Sequence, residues 1–198
     1  MRGFPLGGAL GAGLTALVLA AGCAHSEAAP PPRAKPSTPV SPAQAELQRR
    51  YAGTYVYAGS DAERRAVSAA VERSIAGMSF LAKPVARQTL RQRSEIRDSY
   101  HLVFDGFGNL EVSSPGFPAE AGPLDGTSFA LETKYGDQSH VSQSFVEGIL
   151  VQEGRTDDGS GRTEFRLEDD GATLLVHRVM ESSQLSAAVD FTLTYRRH

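Results

Sequence analysis

Val189-Asp190-Phe191-Thr192-Leu193-Thr194-Tyr195-Arg196 alternates without a break, with Val189, Phe191, Leu193 and Tyr195 on one side and Asp190, Thr192, Thr194 and Arg196 on the other. A period of two over eight residues is the pattern of a β-strand with one buried face. Upstream, Thr163, Phe165 and Leu167 alternate in the same way with Arg162, Glu164, Arg166 and Glu168. Runs of this kind fill the span from Ser139 to Arg196. The breaks between them are Glu147-Gly148, Asp157-Asp158-Gly159-Ser160-Gly161, Asp169-Asp170-Gly171 and Ser182-Ser183-Gln184. They are rich in residues that accept positive φ or close turns with their own side chains. Breaks this short join antiparallel neighbours, so the stretch reads as a meander.

The strand signal continues toward the N-terminus. Tyr100, Leu102 and Phe104 form one run, Asp105 to Gly108 turns the chain, and Leu110 and Val112 run back. Ser114 to Gly126 holds three Pro and three Gly, with Phe117 and Leu124 its only large apolar residues. It reads as a long loop or a flap over one end. Thr127 to Tyr135 resumes the pattern with Phe129 and Leu131, and Tyr51 to Ala58 is a first strand carrying Tyr55 and Tyr57. Glu46 to Arg50 reads as a helical turn before it. Between the first strand and the rest, Ser60 with Glu63 reads as a capping box ahead of Val67, Val71, Ile75 and Met78 at helical spacing. Pro84 opens a second helix, with Lys83, Arg87 and Arg91 four apart on one face. The fold class is therefore mainly β: an antiparallel up-and-down meander of about nine strands with two helices inserted after the first. Closing it into a barrel removes two exposed edges. An open, curved sheet around the helix pair is the alternative.

The chain has 198 residues, a net charge of -3 and no Trp. This near-neutral balance does not suggest a nucleic-acid binder. From Asp61 to Arg97 eight Lys or Arg face four Asp or Glu, whereas from Asp98 onward seven basic residues face seventeen acidic ones. A basic helical segment beside an acidic sheet attracts it or meets anions, and Lys83, Arg87 and Arg91 are the candidate membrane-facing row. No catalytic set, metal site or cofactor motif emerges. His101, His140 and His177 stand on separate strands without carboxylates or thiolates at ligand spacing, and adjacent Ser139 and His140 point to opposite faces.

The fate of Arg178 depends on one turn. A two-residue Asp170-Gly171 hairpin pairs Thr163 with Arg178, Phe165 with Val176 and Leu167 with Leu174, and Arg178 then points inward. A three-residue loop with a bulge slips the register by one and turns His177 inward in its place. A buried cation in an apolar barrel needs an anionic partner, either a protein carboxylate or a ligand headgroup. The candidate lining residues are Tyr55, Tyr57, Phe104, Phe165, Val176, Arg178 and Phe191.

Residues 1 to 23 have a positive start at Arg2, an apolar run from Leu6 to Ala21, and then Gly22-Cys23. Leu19-Ala20-Ala21-Gly22-Cys23 resembles the lipobox of bacterial prolipoproteins, with Ala20 where that family more often has Leu. The resemblance implies cleavage before Cys23, lipid attachment to it (the palmitate-bearing anchor of that family), and a cell-envelope location. Ala24 in place of Asp implies the outer membrane rather than the inner. Residues 1–22 are then a signal peptide, 23–44 a Pro-rich tether, and 45–198 the barrel domain. The element order resembles the calycin group, in particular intracellular fatty-acid-binding proteins. Gly53-Thr54-Tyr55 resembles the lipocalin Gly-x-Trp motif with Tyr for Trp, which implies that Arg196 or Arg197 of the last strand covers the Tyr55 ring. Two functional readings follow. One is a non-catalytic barrel binding a small hydrophobic or amphipathic ligand beneath the helix pair. The other is a solid-cored envelope module acting through a protein partner.

Overall fold

The computed structural model describes residues 40–198. Cys23, the signal peptide and most of the tether lie outside the described residues. Helix α1 (Pro42–Tyr51) starts where Ser41 accepts a hydrogen bond from the Gln44 amide at 3.2 Å and Pro42 fills the first turn. The last three positions assigned to the tether are therefore helical. Strand β1 (Gly53–Tyr57) follows, then α2 (Asp61–Ser74) and α3 (Lys83–Arg93). The remaining strands are β2 (Ser99–Phe104), β3 (Asn109–Ser113), β4 (Glu120–Pro123), β5 (Phe129–Glu132), β6 (Gln138–Val146), β7 (Ile149–Thr156), β8 (Gly159–Leu167), β9 (Thr173–Glu181) and β10 (Val189–Arg197).

All ten strands form one antiparallel sheet in the order β4-β3-β2-β1-β10-β9-β8-β7-β6-β5. The first and last strands pair, Tyr55 with Arg197 and Tyr57 with Tyr195, so the sheet curls into a nearly closed barrel. The helix pair lies between β1 and β2, as the calycin-like element order implies. The strand beyond the sequence reading is β4, which lies inside the Ser114–Gly126 stretch read as a loop. Its Glu-Ala-Gly-Pro carries no apolar alternation, and it is a strand because it completes the ladder with β3. Between β4 and β5 the ladder is missing. One bridge, Asp125 with Ser144, and a 2.8 Å bond from the Gly126 amide to the Gln143 carbonyl span the gap. Gly122 permits this approach, because a Cβ there would fall 2.2 Å from the Phe129 ring.

Helix α1 closes one end. The Tyr51 hydroxyl donates to the Gly148 carbonyl at 3.0 Å and accepts from the Leu167 amide at 3.2 Å, while its ring meets Phe145 edge-on. Of the two candidate arginines, Arg197 covers Tyr55, its guanidinium 5.0 Å from the ring centre. It also donates to the Ala52 carbonyl at 2.9 Å and to the Arg50 carbonyl, satisfying acceptors that the end of α1 leaves open. Gly53, at φ 145°, lets the chain pass beneath this guanidinium. The interior along β1, β2 and β10 is filled by aromatic rings, with Tyr100 5.2 Å from Phe165 and 5.0 Å from Tyr195, edge to face. Burial pushes the Tyr195 hydroxyl far above its ordinary pKa, and it donates to the Arg97 carbonyl at 2.9 Å.

Helix α2 lays Val67, Ala70 and Val71 over this core beside β10. Ser60 occupies its N-cap position without a side-chain cap bond, so the capping box does not form. Glu63 reaches out of the helix instead and accepts from the Thr194 amide at 2.9 Å and hydroxyl at 2.8 Å. A tertiary tie to β10 has displaced the local one.

Between β8 and β9 the register is Thr163 with Arg178, Phe165 with Val176 and Leu167 with Leu174, the first of the two alternatives. The turn itself is longer than two residues. The Glu168 amide still bonds the Thr173 carbonyl at 2.9 Å, leaving Asp169 to Ala172 as a four-residue loop with Gly171 at φ 64°. A loop longer by two conserves the parity of the register, so every side chain keeps its face. Asp170 holds this loop by accepting from the Thr173 hydroxyl (2.6 Å), the Thr173 amide (2.7 Å) and the Ala172 amide (2.8 Å). These bonds, the Thr173 hydroxyl foremost, lower its pKa from 3.8 to about 2. A carboxylate whose pKa is depressed by folding contributes stability above its unfolded pKa and loses it as pH falls through the folded one. Asp170→Ala should therefore lower the thermal midpoint near pH 6, and its deficit from wild type should narrow between pH 4 and pH 2. A melting series that shows a constant deficit would refute this assignment.

Candidate ligand cavity

At the end opposite α1, a cavity of about 620 Å³ opens between α3 and strands β5 to β9. No residue of β1, β2, β3 or β10 lines it. The barrel is thus filled along one side and hollow along the other. The hollow has a local cause. Inward positions on β7 run Leu150, Gln152, Gly154, and those on β8 run Phe165, Thr163, Gly161. Gly154 and Gly161 are cross-strand partners, so two adjacent side chains are missing from the wall. There is room for them: a Cβ on Gly161 would meet nothing closer than the Val179 carbonyl at 3.8 Å, and one on Gly154 would make ordinary contact with Ser139 at 3.4 Å.

Beneath the glycines lies a polar layer. Gln143 and Gln152 are cross-strand partners and both buried, and Gln152 pairs in turn with Thr163, which pairs with Arg178. The Gln143 amide nitrogen donates to the Glu120 carbonyl at 3.2 Å, stitching β6 to β4 across the gap.

Four cations reach the cavity, and three have carboxylate partners. Arg93 pairs with Asp137 at 2.6 Å, Lys134 with Glu95 at 2.7 Å and Arg97 with Glu120 at 3.0 Å. The Phe117 ring lies between Arg97, 4.4 Å away, and Lys134, 4.1 Å away. This is the only large apolar residue of the flap before β4, and the two cations clamp it at the cavity edge. Arg178 differs, because among the described residues no carboxylate is within ion-pair distance of it. It donates to the Arg93 carbonyl at 3.2 Å, in the last turn of α3, and its guanidinium lies 5.7 Å from the Phe191 ring. Tyr135 likewise donates to the Gln92 carbonyl. Both bonds reach carbonyls at the end of α3 and tie that helix to the cavity wall.

Of the residues named from sequence as lining, Arg178 is on the wall. Tyr55, Phe165 and Val176 are fully buried in the core, Phe191 is nearly so, and Tyr57 and Phe104 pack against that core. They face inward but at the wrong height or on the wrong side. The basic row on α3 is partly engaged within the helix pair. Arg87 forms a two-bond pair with Glu72 at 2.7 and 2.8 Å, and Arg91 joins it at 3.4 Å. Arg87 lowers the Glu72 pKa by hydrogen bonding, and the row braces α2 against α3, with Lys83 at the helix start. Apolar groups are exposed nearby as well: Phe80, Leu81 and Val85 are 81%, 73% and 69% exposed. Sequence reading passed over Gly154, Gly161, Gln143, Gln152, Arg93, Arg97 and Lys134. A signal existed for the first four, since each interrupts an apolar inward face at period two. Among the described residues no group of His, Cys, Asp or Glu could hold a metal ion.

Taken together, these features define a helix-capped antiparallel barrel, half filled, with one cavity-facing arginine that lacks an acidic partner among the described residues. No family model and no curated protein matches the chain. Among solved structures, it is similar to fatty-acid-binding protein 1 of Echinococcus granulosus, at 14% identity over 75% of this chain and 98% of that one, with a TM-score of 0.49. Zebrafish ileal bile acid-binding protein complexed with cholic acid is similar at 10% identity over 75% and 99%, TM-score 0.48. A secretory abundant heat soluble protein from Ramazzottius varieornatus is similar at 12% identity over 75% and 96%, TM-score 0.49. The architecture stands on the strand order and register above, not on these likenesses.

Arg97 and Arg178 should separate in stability measurements. The Arg97 and Glu120 side chains are 13% and 16% exposed. Removing one member of so enclosed a pair strands the other, at a cost of about 3 kcal/mol. Glu120→Ala should show this loss in urea unfolding, whereas Arg178→Met should lose less than about 1 kcal/mol, since no buried charge is left behind. Equal losses would mean that Arg178 is a structural cation.

Proposed function

We propose that this chain is a non-catalytic, lipid-anchored envelope protein whose barrel takes up a small anionic amphiphile beneath α3. The observation that carries the ligand reading is Arg178. It is a half-buried guanidinium on the cavity wall, with a single backbone acceptor and, alone among the four cations there, no acidic partner among the described residues. A charge in such a place favours an anion brought in by a ligand, while Met78, Ala86 and Leu90 supply apolar contact for its body. The cavity also favours this reading over the solid-cored module acting through a protein partner.

The anchor reading rests on the resemblance of Leu19 to Cys23 to a lipobox, with Ala24 after the cysteine supporting the outer membrane rather than the inner. Among the described residues no helix is long and apolar enough to cross a membrane. Exposed Phe80, Leu81 and Val85 beside the cavity mouth suit a domain that works close to an apolar surface.

Native mass spectrometry with solvent extraction, on Cys23→Ser protein secreted from bacterial cells, should show a reproducible extractable mass. Arg178→Met should lose it while keeping the wild-type fold. A bare mass that stays bare after incubation with anionic amphiphiles would end the ligand reading. For the anchor, an alkynyl palmitate analogue fed to expressing cells should label the wild type and not Cys23→Ala. Equal labelling of both would remove Cys23 as the attachment point.

A further inference from the structure

We infer that the turn joining α2 to α3 is a membrane contact: its apolar tip, Phe80, Leu81 and Val85, enters a bilayer whose anionic headgroups meet Arg73 and Lys83. The inference builds on the envelope reading above and is independent of what the cavity holds.

The local backbone explains the tip. The Gly77 amide donates to the Ser186 hydroxyl at 2.9 Å and the Ser186 amide to the Ser74 carbonyl at 2.8 Å, so the base of the turn is fastened to the loop before β10. The amides of Ala82 and Lys83 both donate to the Ser79 carbonyl at 3.1 Å, closing the chain around Phe80 and Leu81. Met78 packs against the core, whereas Phe80 and Leu81 stand in solvent. Val85, four residues after Leu81, continues the exposed apolar surface onto α3. Three large apolar side chains held outward by a closed turn are unfavourably hydrated, and an apolar phase relieves that cost.

Charge selects the phase. From Arg73 to Ser94 the chain carries five Lys or Arg and no Asp or Glu. Glu72 takes Arg87 and Arg91, and Asp137 takes Arg93. Arg73 and Lys83, on either side of the tip, have no carboxylate within ion-pair distance among the described residues. Cations flanking an apolar tip complement a bilayer with anionic headgroups. A second copy of this chain would instead set them against their own counterparts across a twofold axis. A stable protein partner covers roughly 800 Å² per side, far more than three side chains offer.

Reach and orientation agree. Helix α1 plugs one end of the barrel, while Met78, Ala82 and Val85 line the cavity at the other. The stretch from Cys23 to Ser41 spans at most about 60 Å, against about 30 Å for a strand the length of β9. A chain anchored through Cys23 can therefore set its cavity end on the bilayer that holds the anchor. The mouth then opens onto lipid.

The chain has no Trp, so a single introduced Trp reports on one place. In unlipidated Cys23→Ser protein, Phe80→Trp emission should move to shorter wavelength on vesicles of phosphatidylcholine and phosphatidylglycerol in equal parts, and brominated lipid should quench it. Phe107→Trp, in the exposed turn after β2 at the α1 end, should show neither effect. Each reporter reads its own surroundings, so attachment through another part of the chain leaves the signal at position 80 unmoved. Added to the Phe80→Trp protein, Lys83→Glu should weaken vesicle binding about tenfold. Leu81→Asp should weaken it about tenfold or more with the thermal midpoint retained, since Leu81 is exposed. Phe80→Trp emission that vesicles leave unchanged would overturn the contact. An equal shift on phosphatidylcholine alone, undiminished by Lys83→Glu, would overturn the anionic surface. A concentration-dependent shift without lipid, together with a dimeric native mass, would overturn the membrane in favour of a second copy. The ligand reading is decided separately, by the extractable mass.

Discussion

A β-strand has only two faces, and the four-residue loop held by Asp170 decides which face each residue of β9 shows. Arg178 and Met180 look into the cavity, and His177 with Val179 look out, because the Glu168–Thr173 closure keeps an even count. One residue more or fewer would exchange the two sets and put an imidazole where the guanidinium stands. Arg196 braces the same loop from β10 at 3.1 Å, so the parity of β9 is checked by its other neighbour.

The cavity is in part a product of omission. Two cross-strand partners on its wall, Gly154 and Gly161, carry no side chain. The filled side of the barrel shows the other outcome, with Tyr55, Tyr100, Phe165 and Tyr195 occupying the equivalent interior. The cations around the space are balanced pair by pair by Asp137, Glu95 and Glu120, and that balance is what singles out Arg178. Those pairs also have mechanical roles. They clamp Phe117, anchor the end of α3 and tie β4 to its neighbours where the ladder is absent.

Alternation, turn residues and helical spacing made most of the architecture legible. The order of elements and the helix pair after β1 can be read from Tyr51 to Arg197, whereas the inward turn of Arg178 is one of two registers that the sequence leaves open. What alternation cannot convey is height along the barrel axis. Phe165 and Gly161 share a face, yet one is sealed in the core and the other borders open space. Hence the aromatic residues named as lining fell in the filled part, and the glycines that make the cavity read only as turn chemistry. β4 was hidden for a related reason, since Glu120–Pro123 has no pattern of its own and is a strand only by virtue of β3. Glu63 and Arg87 show the remaining limit. Each has a plausible local role in sequence, and each is taken by a partner on another element, Thr194 and Glu72.

Pairing of β1 with β10 also has a consequence for how the chain comes to be folded. The hairpins from β6 to β10 join near neighbours and can form as soon as each is complete. By contrast Tyr55 must wait for Arg197, the two lying at opposite ends of the barrel sequence. Closing so large a loop comes late, because its entropy must be met before the contacts reward it. Until then β1 and the α1 plug have no finished surface to join, and the nascent barrel carries a free apolar edge. The step that seals the molecule is therefore also the one most exposed to competition from other chains.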